Sequence, residues 1–445
     1  MRKTAYPNII LITVDALRAD HLSCYGYQRK TSPNIDNLGK NGVIFLNCFS
    51  TSSITISSFP GLLTGRYLTT FKYEPDWNNV LDRKFTTLAE YLKNFGYYSR
   101  AFIFNGIFEG GKGFEQGFDY FHVYLGAYIE NTKQVTSDVV DFLQNSRPKN
   151  KPYFVWIHYL GPHAPYRFHE EYFKIFEGDR LYKEKDKILK LKPDNLQADK
   201  FLQAWQSKGY IPPMVFHEGK FSLSYYIACY DANILYTDFY IGNLLRNIED
   251  NTIIILTSDH GESLGEHNRY FCHGEYIYDE LLRIPLIIKD NRSFKGKAKI
   301  LKAVSAVDIV PTILNRINPI WYFLNKWRFD GIDLRLILNN SARRRCIYSY
   351  FGSPPYCAYS IRDVNKNIKY ILSAGNNKEE LYILPDENNN LINEGSLYIS
   401  SFKKELSKNL RRWLRDYPIR SDINARRIPL TEDQVNNLRS LGYLH

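Results

Sequence analysis

The chain contains 445 residues, of which 44% are hydrophobic and 24% carry a charged side chain. This length suits one large α/β domain with a smaller second one, and the ordinary composition excludes disordered and collagen-like chains. The formal net charge of +11 is compatible with an anionic substrate, with nucleic acid or with a lysine-rich proteome, and we favour the last explanation.

Short apolar runs alternate with longer helical stretches along most of the chain, a pattern typical of a mainly parallel sheet covered by helices. The runs are rich in Ile, Val, Phe and Tyr, as expected of strands that are buried on both faces. The predicted strands are Asn8–Val14, Val43–Cys48, Tyr98–Phe104, Tyr153–His158 and Thr252–Thr257. The predicted helices are Ser32–Lys40, Leu88–Phe95, Ser137–Gln144 and Ser222–Glu249.

The character of the sequence changes after Pro319. Ile361–Asp363 and Lys369–Leu372 predict a small antiparallel sheet, and Ser401–Arg415 predicts a final helix that packs against it. We therefore expect an α/β fold with a large, mainly parallel sheet flanked by helices and a smaller C-terminal α+β subdomain. The predicted domains are residues 1–320, with 169–221 as an insertion near the site, and residues 321–445.

Targeting and membrane signals are lacking in the sequence. The apolar run Ile9–Val14 is too short for a signal-peptide core, and no stretch of about eighteen apolar residues could span a bilayer. The six cysteines are scattered without a C-x-x-C pair, so neither a disulfide scaffold nor a Cys-based zinc site is predicted. We expect a cytoplasmic protein without a membrane span; its oligomeric state is left open.

Carboxylates follow two of the predicted strands. Asp15 comes directly after Asn8–Val14, and Asp259 follows Thr252–Thr257 with His260 beside it. Ligands of open α/β sheets bind beyond the carboxyl ends of the strands, so these residues are placed to hold a metal, although Asp15 alone could equally be a helix N-cap. A carboxylate next to an imidazole suits Zn²⁺ or Mn²⁺ better than Mg²⁺ or Ca²⁺.

Further chemistry-bearing residues cluster near these positions. Glu262, His267 and His273 follow Asp259 and His260 closely. A structural role would explain one histidine more easily than three histidines beside two carboxylates. The hydroxyl-rich segment Thr51–Arg66 predicts a turn that opens a helix, whose free N–H groups could hold an anionic ester. Taken alone, that segment would be interpreted as a Ser/Thr-rich loop with capping residues.

A fourth segment follows the strand Tyr153–His158. Pro162 and Pro165 bracket His163 and fix its ring, which suits protonation of a leaving oxygen. His158 lies within the strand itself and is predicted to be a buried partner.

Taken in order, these segments resemble the motifs of the sulfatase family, within the alkaline-phosphatase superfamily. Asp15–Asp20 is similar to the opening metal motif of that family, and Leu62–Arg66 to its nucleophile segment. Pro162–Pro165 resembles the motif of its substrate-contacting histidine, and Asp259–Glu262 its second metal motif. Further similar segments are Asp308–Thr312, Asp330–Gly331, Leu381–Leu384 with Asp386, and Leu438–Tyr443.

The nucleophile position departs from the family pattern. Sulfatases carry Cys or Ser, later oxidised to formylglycine, seven residues before the Leu-Leu-Thr-Gly-Arg run, and here that position is Thr55. Since threonine is not a known substrate for that oxidation, we expect no formylglycine. A sulfated threonine lacks the elimination route of formylglycine, whereas a phosphorylated threonine can be attacked at phosphorus. Threonine nucleophiles also occur in relatives that resemble phosphodiesterases and phosphoglycerol transferases.

The resemblance implies a metal-dependent ester hydrolase that acts on a small anionic ester. Asp15, Asp259 and His260 would hold one divalent ion (Mn, Zn, Mg or Ca), with the Thr55 oxygen as a further ligand and a second ion as an open alternative. Phosphoester or phosphonate substrates of the phosphodiesterase or phosphotransferase type are favoured. The alternatives are a sulfuric ester hydrolase, a non-catalytic anion-binding relative and, on charge alone, a nucleic-acid binder, for which no known module is present.

The remaining predicted residues surround this centre. His163 would contact the anion or protonate the leaving group. His273 stands where sulfatases place a lysine, and would bind the ester or ligate a second metal. Predicted substrate-binding or supporting residues are Arg66, Asn105, His158, Asp20, Glu262 and His267.

Overall fold

In a computed structural model, the described residues are 6–67, 80–125, 128–179, 186–192, 209–274, 276–294, 298–341, 344, 346–353, 356–374, 377–384, 397–416 and 432. The β-strands are β1 (Asn8–Val14), β2 (Val43–Phe49), β3 (Tyr98–Ile103), β4 (Tyr120–Val123), β5 (Tyr153–Tyr159), β6 (Lys190–Leu191), β7 (Tyr210–Ile211), β8 (Thr252–Thr257), β9 (Arg283–Lys289), β10 (Ala298–Ile300), β11 (Val304–Ser305), β12 (Cys346–Ser353), β13 (Tyr356–Asp363), β14 (Ile368–Ser373) and β15 (Lys378–Ile383). The α-helices are α1 (Pro33–Lys40), α2 (Thr55–Thr64), α3 (Leu88–Asn94), α4 (Tyr128–Asp141), α5 (Glu170–Phe176), α6 (Leu223–Leu245), α7 (Asp279–Leu282), α8 (Ile309–Ile317), α9 (Pro319–Asn325), α10 (Leu334–Leu338) and α11 (Leu397–Asp416).

The main sheet has nine strands in the order β10-β2-β9-β8-β1-β5-β3-β4, with β11 also paired to β2. Every pairing in it is parallel except those of β9, which runs antiparallel to both β2 and β8. The predicted fold class is therefore confirmed: a large, mainly parallel sheet with helices, and a second, antiparallel sheet in the order β12-β13-β14-β15. β9 was not predicted, although its sequence is as apolar as that of its neighbours.

The five predicted strands of the main sheet agree with the structure to within one residue at each end. The helix predicted at Ser137–Gln144 is wrong in extent, because α4 begins at Tyr128 and continues into a π-helical turn at Phe142–Ser146. The buried side chains of Val135, Val139 and Phe142 have the helical spacing. The polar residues before them obscured the start of the helix.

The two sheets are joined by a buried ion-pair group. Lys369 Nζ of β14 donates hydrogen bonds to Ile277 O at 2.7 Å and to Asp279 Oδ1 at 3.0 Å. Arg362 of β13 donates to the same Asp279 carboxylate. The group therefore attaches the C-terminal sheet to the start of α7.

The predicted boundary between residues 320 and 321 and the insertion at 169–221 stay predictions. Residues 180–185 and 193–208 of that insertion lie outside the described residues, as do Asp386 and Leu438–Tyr443. Within the described part of the chain, no helix combines the length and apolarity needed to cross a membrane.

Replacing Asp279 is expected to destabilise the protein. Asp279→Ala removes the shared partner of Arg362 and of Lys369, whose side chain is 1% exposed, and leaves a buried charge uncompensated. We expect the free energy of unfolding in urea to fall by about 2–4 kcal/mol. The matched control is Asp82→Ala, because Asp82 pairs with Lys84 and both side chains are largely exposed; there we expect at most about 0.5 kcal/mol. Equal losses in the two variants would contradict the proposed link.

Candidate metal centre and active site

The carboxylates of the site follow the ends of two neighbouring strands. β1 and β8 pair in parallel with Thr13 opposite Thr257, so the segments that leave both strands run side by side. Ligand atoms of Asp15, Asp259 and His260 all lie within 4.8 Å of one another. His260 Nε2 is 3.4 Å from Asp15 Oδ1 and 3.4 Å from Asp259 Oδ2. No second such group of three occurs among the residues that the structure describes.

The chemistry of this group fits a divalent metal ion. All three side chains are fully buried, and Asp15 Oδ1 and Asp259 Oδ2 have no hydrogen-bond partner in the described part of the chain. Burial and the adjacent Asp259 carboxylate raise the pKa of Asp15 well above its usual value. Burial of two carboxylate oxygens without donors is costly unless a proton or a cation compensates their charge, and a divalent ion bound between them would do so. Two carboxylates and an imidazole are suitable ligands for such an ion.

Hydrogen bonds orient the ligand side chains. His260 Nδ1 lies 2.8 Å from Gly261 O. Because a carbonyl only accepts, Nδ1 carries the proton and Nε2 is left to face the carboxylates. Asn105 Nδ2 donates to Asp15 Oδ2 at 2.9 Å. His158 Nε2 lies 3.4 Å from the same oxygen, and burial lowers the pKa of this ring to about 4, which keeps it neutral.

Thr55 is the first residue of α2 and lies directly beside the metal group. Its Oγ1 is 3.2 Å from His260 Nε2, and its side chain is buried. The N-terminus of a helix favours negative charge through its free N–H groups and its dipole. Gly65 follows the last residue of α2, and its φ of 70° lies in the left-handed region that glycine adopts without strain. A hydroxyl here can attack an anion held at the helix N-terminus.

The C-terminal sheet fixes the segment that carries Thr55. Tyr350 N of β12 donates to Thr51 O at 2.9 Å, and the Tyr350 hydroxyl donates to Ser57 O at 3.0 Å. Ser349 Oγ donates to Ser50 O at 2.7 Å. The segment that carries Thr55 is therefore held on one side by β12 and on the other by the loop that carries Asp259 and His260.

Three imidazole rings line the same centre. The ring centroid of His273 lies 4.3 Å from that of His260 and 4.8 Å from that of His163. Burial, followed by the neighbouring histidines, lowers the pKa of His163 and His273 well below the usual value, so both rings rest neutral. Glu262 Oε1 lies 3.6 Å from His273 Nδ1, and burial raises the pKa of Glu262 to about 8.

Three of the predicted supporting residues lie away from the group formed by Asp15, Asp259 and His260. Arg66 is exposed at the opposite end of α2, with Cζ 5.9 Å from the Phe85 ring centroid. Asp20 points outward because its carboxylate binds the Arg18 guanidinium. His267 stacks on Tyr278 at 3.7 Å between ring centroids. We therefore do not include them in the centre that the structure assembles.

Residues that the sequence analysis missed hold the metal-binding loops together. Arg18 Nη1 donates to Glu262 O at 3.0 Å, which joins the loop after β1 to the loop after β8. Ser258 Oγ donates to Val14 O at 2.7 Å. The Tyr230 hydroxyl donates to Ala16 O at 2.7 Å, and Ala16 has a strained φ of 55°. No local sequence signal marks these long-range contacts, apart from the position of Arg18 inside the first metal motif.

The chain matches the model of one protein family. The family model described as Sulfatase matches residues 7–318. The chain is 26% identical over 357 residues to the uncharacterized sulfatase YidJ of Escherichia coli K12, with 69% of this chain and 67% of YidJ aligned. It is 27% identical over 339 residues to iduronate 2-sulfatase of Mus musculus, with 63% of this chain and 59% of that enzyme aligned.

Solved structures share the fold. The phosphonate monoester hydrolase of Agrobacterium radiobacter superposes with a TM-score of 0.72 at 20% identity, covering 92% of this chain and 96% of that one. A protein solved in complex with its substrate, D-glucosamine-2-N,6-O-disulfate, superposes with a TM-score of 0.70 at 22% identity, covering 94% and 99%. The fold is thus found in proteins named for phosphonate esters and in proteins that bind sulfated sugars.

Removing a ligand of the metal group should release the metal and leave the fold intact. We expect Asp259→Asn and His260→Ala to lower metal affinity by more than about 100-fold, since loss of a residue that merely orients a ligand already costs about 10–100-fold. Metal content after dialysis, measured by elemental mass spectrometry, checks this, with circular dichroism as the test of folding. Asp20→Asn is the matched control and should keep its metal. Unchanged metal content in both ligand variants would contradict the assignment.

Proposed function

Because this chain belongs to the sulfatase family of ester hydrolases, we propose that it cleaves an anionic ester with Thr55 as nucleophile and favours phosphoester or phosphonate substrates. The observation that carries this proposal is the position of Thr55 Oγ1, 3.2 Å from His260 Nε2 at the N-terminus of α2. We propose a phosphodiesterase or phosphotransferase type of reaction. The cytoplasmic location stays a prediction from the sequence.

The proposed metal ligands are Asp15, Asp259 and His260. A divalent ion bound there supplies positive charge, which lowers the pKa of a nearby hydroxyl and stabilises charge on the phosphoryl oxygens. Asn105 holds Asp15 Oδ2 by a hydrogen bond, which leaves Oδ1 of the same carboxylate for the ion. These residues prepare the site before substrate arrives, since every group is already buried and oriented.

The proposed reaction has two steps. In the first, Thr55 loses its hydroxyl proton to solvent and its Oγ attacks phosphorus in line. The bond to the leaving oxygen breaks, that oxygen takes a proton from His163, and the phosphoryl group is transferred to Thr55. In the second, water or an acceptor alcohol attacks phosphorus and gives its proton to His163, and the Thr55 oxygen leaves and regains a proton from solvent. The free N–H groups of the first turn of α2 hold the anion throughout.

His163 is the proposed proton donor to the leaving oxygen. Its ring rests neutral, with Nδ1 turned towards Ala164 O. A bound anion raises the pKa of an adjacent imidazole, so the ring can hold a proton for the leaving group once the ester is in place. His273 stacks on His260, and we propose that it contacts the same anion.

Sulfate ester hydrolysis is the second candidate. The names of the relatives and the disulfated ligand of one structural neighbour favour it. Thr55 is evidence against sulfate ester hydrolysis, because a sulfo-threonine has no second hydroxyl through which sulfate could be eliminated. A non-catalytic anion-binding role is less well supported, since the three ligands, Thr55 and His163 are all present in one cluster.

The proposal that Thr55 is an unmodified nucleophile leads to a direct prediction about residue 55. The intact mass should match the encoded chain, and an acid quench after brief incubation with an aryl phosphoester should trap phosphate on the Thr55 peptide. Thr55→Ala should lose nearly all turnover, by about 10³-fold or more, whereas Thr55→Ser should retain part of it. Ser58→Ala is the control, because its hydroxyl donates to Thr55 O and does not face the metal group.

Two results would overturn this assignment. Rapid multiple turnover of an aryl sulfate with phosphodiesters untouched would make the protein a sulfatase with an unexpected nucleophile. Full activity of Thr55→Ala would move the nucleophile to Ser57 or Ser58. Parallel assays with aryl sulfate, phosphate monoester, phosphate diester and phosphonate distinguish these outcomes.

Removal of His163 should affect poor leaving groups most. A proton donor matters when the departing oxygen is basic, so His163→Ala should slow alkyl esters by about 10²–10⁴-fold and activated aryl esters much less. The dependence of kcat on leaving-group pKa measures this. Equal losses for both substrate types would instead assign His163 to anion binding.

A further inference from the structure

Helix α9 and the 3-10 turn after it, Lys326–Arg328, present a row of large apolar side chains to solvent. Ile320, Phe323, Leu324 and Trp327 are 76%, 66%, 65% and 75% exposed. Ile320, Phe323 and Leu324 have the helical spacing of three and four residues, and Trp327 follows in the 3-10 turn. We call these four residues the α9 patch. Contiguous exposed apolar surface of this kind marks an interaction site more often than a lone exposed residue does.

The opposite face of α9 is firmly packed, so the orientation of the patch is fixed. The Trp321 ring lies 5.3 Å from Tyr91 and 5.6 Å from Phe95, measured between centroids. Tyr322 is 7% exposed and stacks on Phe329. Turning the patch inward would remove both of these rings from the core.

The charged residues in the stretch of sequence that contains the patch are positive up to Asp330. From residue 309 to residue 329 the sequence contains no Asp or Glu and three cations. Arg316 is paired with Asp290, whereas Lys326 and Arg328 are exposed at the edge of the patch. Lys326 Nζ lies 4.8 Å from the Phe323 ring centroid, and Arg328 Cζ lies 4.9 Å from that of Trp327.

We propose that the α9 patch docks on an anionic membrane surface. Trp, Phe and Leu on one helix face with Lys and Arg at its edge is the composition of helices that lie in the interface of a bilayer. Anionic headgroups complement Lys326 and Arg328, and the apolar side chains enter the boundary between headgroups and acyl chains. A second copy of the chain fits less well, because a two-fold contact through the patch would set these cations against their own copies.

Docking through the patch leaves the candidate active site accessible. The backbone N–H groups of Asp330 and Gly331, directly after the patch, donate to Gly65 O at the end of α2. Thr55 lies at the other end of that helix, about 15 Å away along its axis. The proposal is thus independent of the nucleophile, and patch variants should keep their activity on a water-soluble ester.

Vesicle co-sedimentation of the full chain tests this proposal. One set of vesicles contains phosphatidylcholine alone, and the other contains equal parts of phosphatidylcholine and phosphatidylglycerol. We expect the wild type to sediment with the anionic vesicles, and the double variant Phe323→Ser/Trp327→Ser to bind them at least about tenfold more weakly. Lys326→Gln/Arg328→Gln should weaken binding by about fivefold per cation and reduce its dependence on salt.

The matched control is Leu301→Ser, whose side chain is 75% exposed but lies outside the patch; it should bind like the wild type. Thermal unfolding of each variant verifies that the fold is retained. Absence of binding to anionic vesicles would overturn the proposal. So would an equal loss in Leu301→Ser, or a wild-type dimer in sedimentation velocity that the double variant abolishes, since the patch would then be a contact between two copies.

Discussion

The organisation of the molecule depends on two carboxylates that are buried together at the carboxyl ends of neighbouring strands. Asp15 and Asp259 each keep one oxygen without a donor in the described part of the chain, and a bound cation would compensate the charge of such a pair. The surrounding contacts hold the two carboxylates and His260 in this arrangement. Asn105 fixes the Asp15 carboxylate, Gly261 O fixes the ring of His260, and Arg18 joins the loop after β1 to the loop after β8.

In the proposed function, the same charge arrangement allows the Thr55 hydroxyl to serve as nucleophile. An isolated alcohol is a weak nucleophile at neutral pH, and it needs both a lowered pKa and a fixed direction of attack. The metal group provides the first, and the buried N-terminus of α2 provides the second. The difference between a threonine and a formylglycine lies in the release step, where phosphorus accepts attack by water and a sulfo-threonine has no elimination route. In the proposed function, the preference for phosphoesters follows from the Thr55 side chain.

The sequence predicted the parts of the site that follow strands. Asp15, Asp259 and His260 could be found because a strand buried on both faces is recognisable by its apolar run, and its end is therefore known to within a residue. Asn105 was found in the same way and lies against Asp15. Asp20 and His267 were grouped with the site because they are near in sequence, but Arg18 and Tyr278 hold them elsewhere. Tyr230 and Ser258 were missed, since contacts between distant segments leave no local pattern.

The hydrogen bonds from β12 to the segment around Thr55 impose an order on the biogenesis of the protein. Residues 50–57 leave the ribosome early, yet their backbone acceptors Ser50 O, Thr51 O and Ser57 O find their donors only when Ser349 and Tyr350 have been synthesised. At about 5–20 residues per second, the nascent chain waits many seconds with its catalytic turn incompletely bonded. A chain that is interrupted before β12 therefore carries Asp15, Asp259 and His260 but lacks the donors that hold the segment around Thr55.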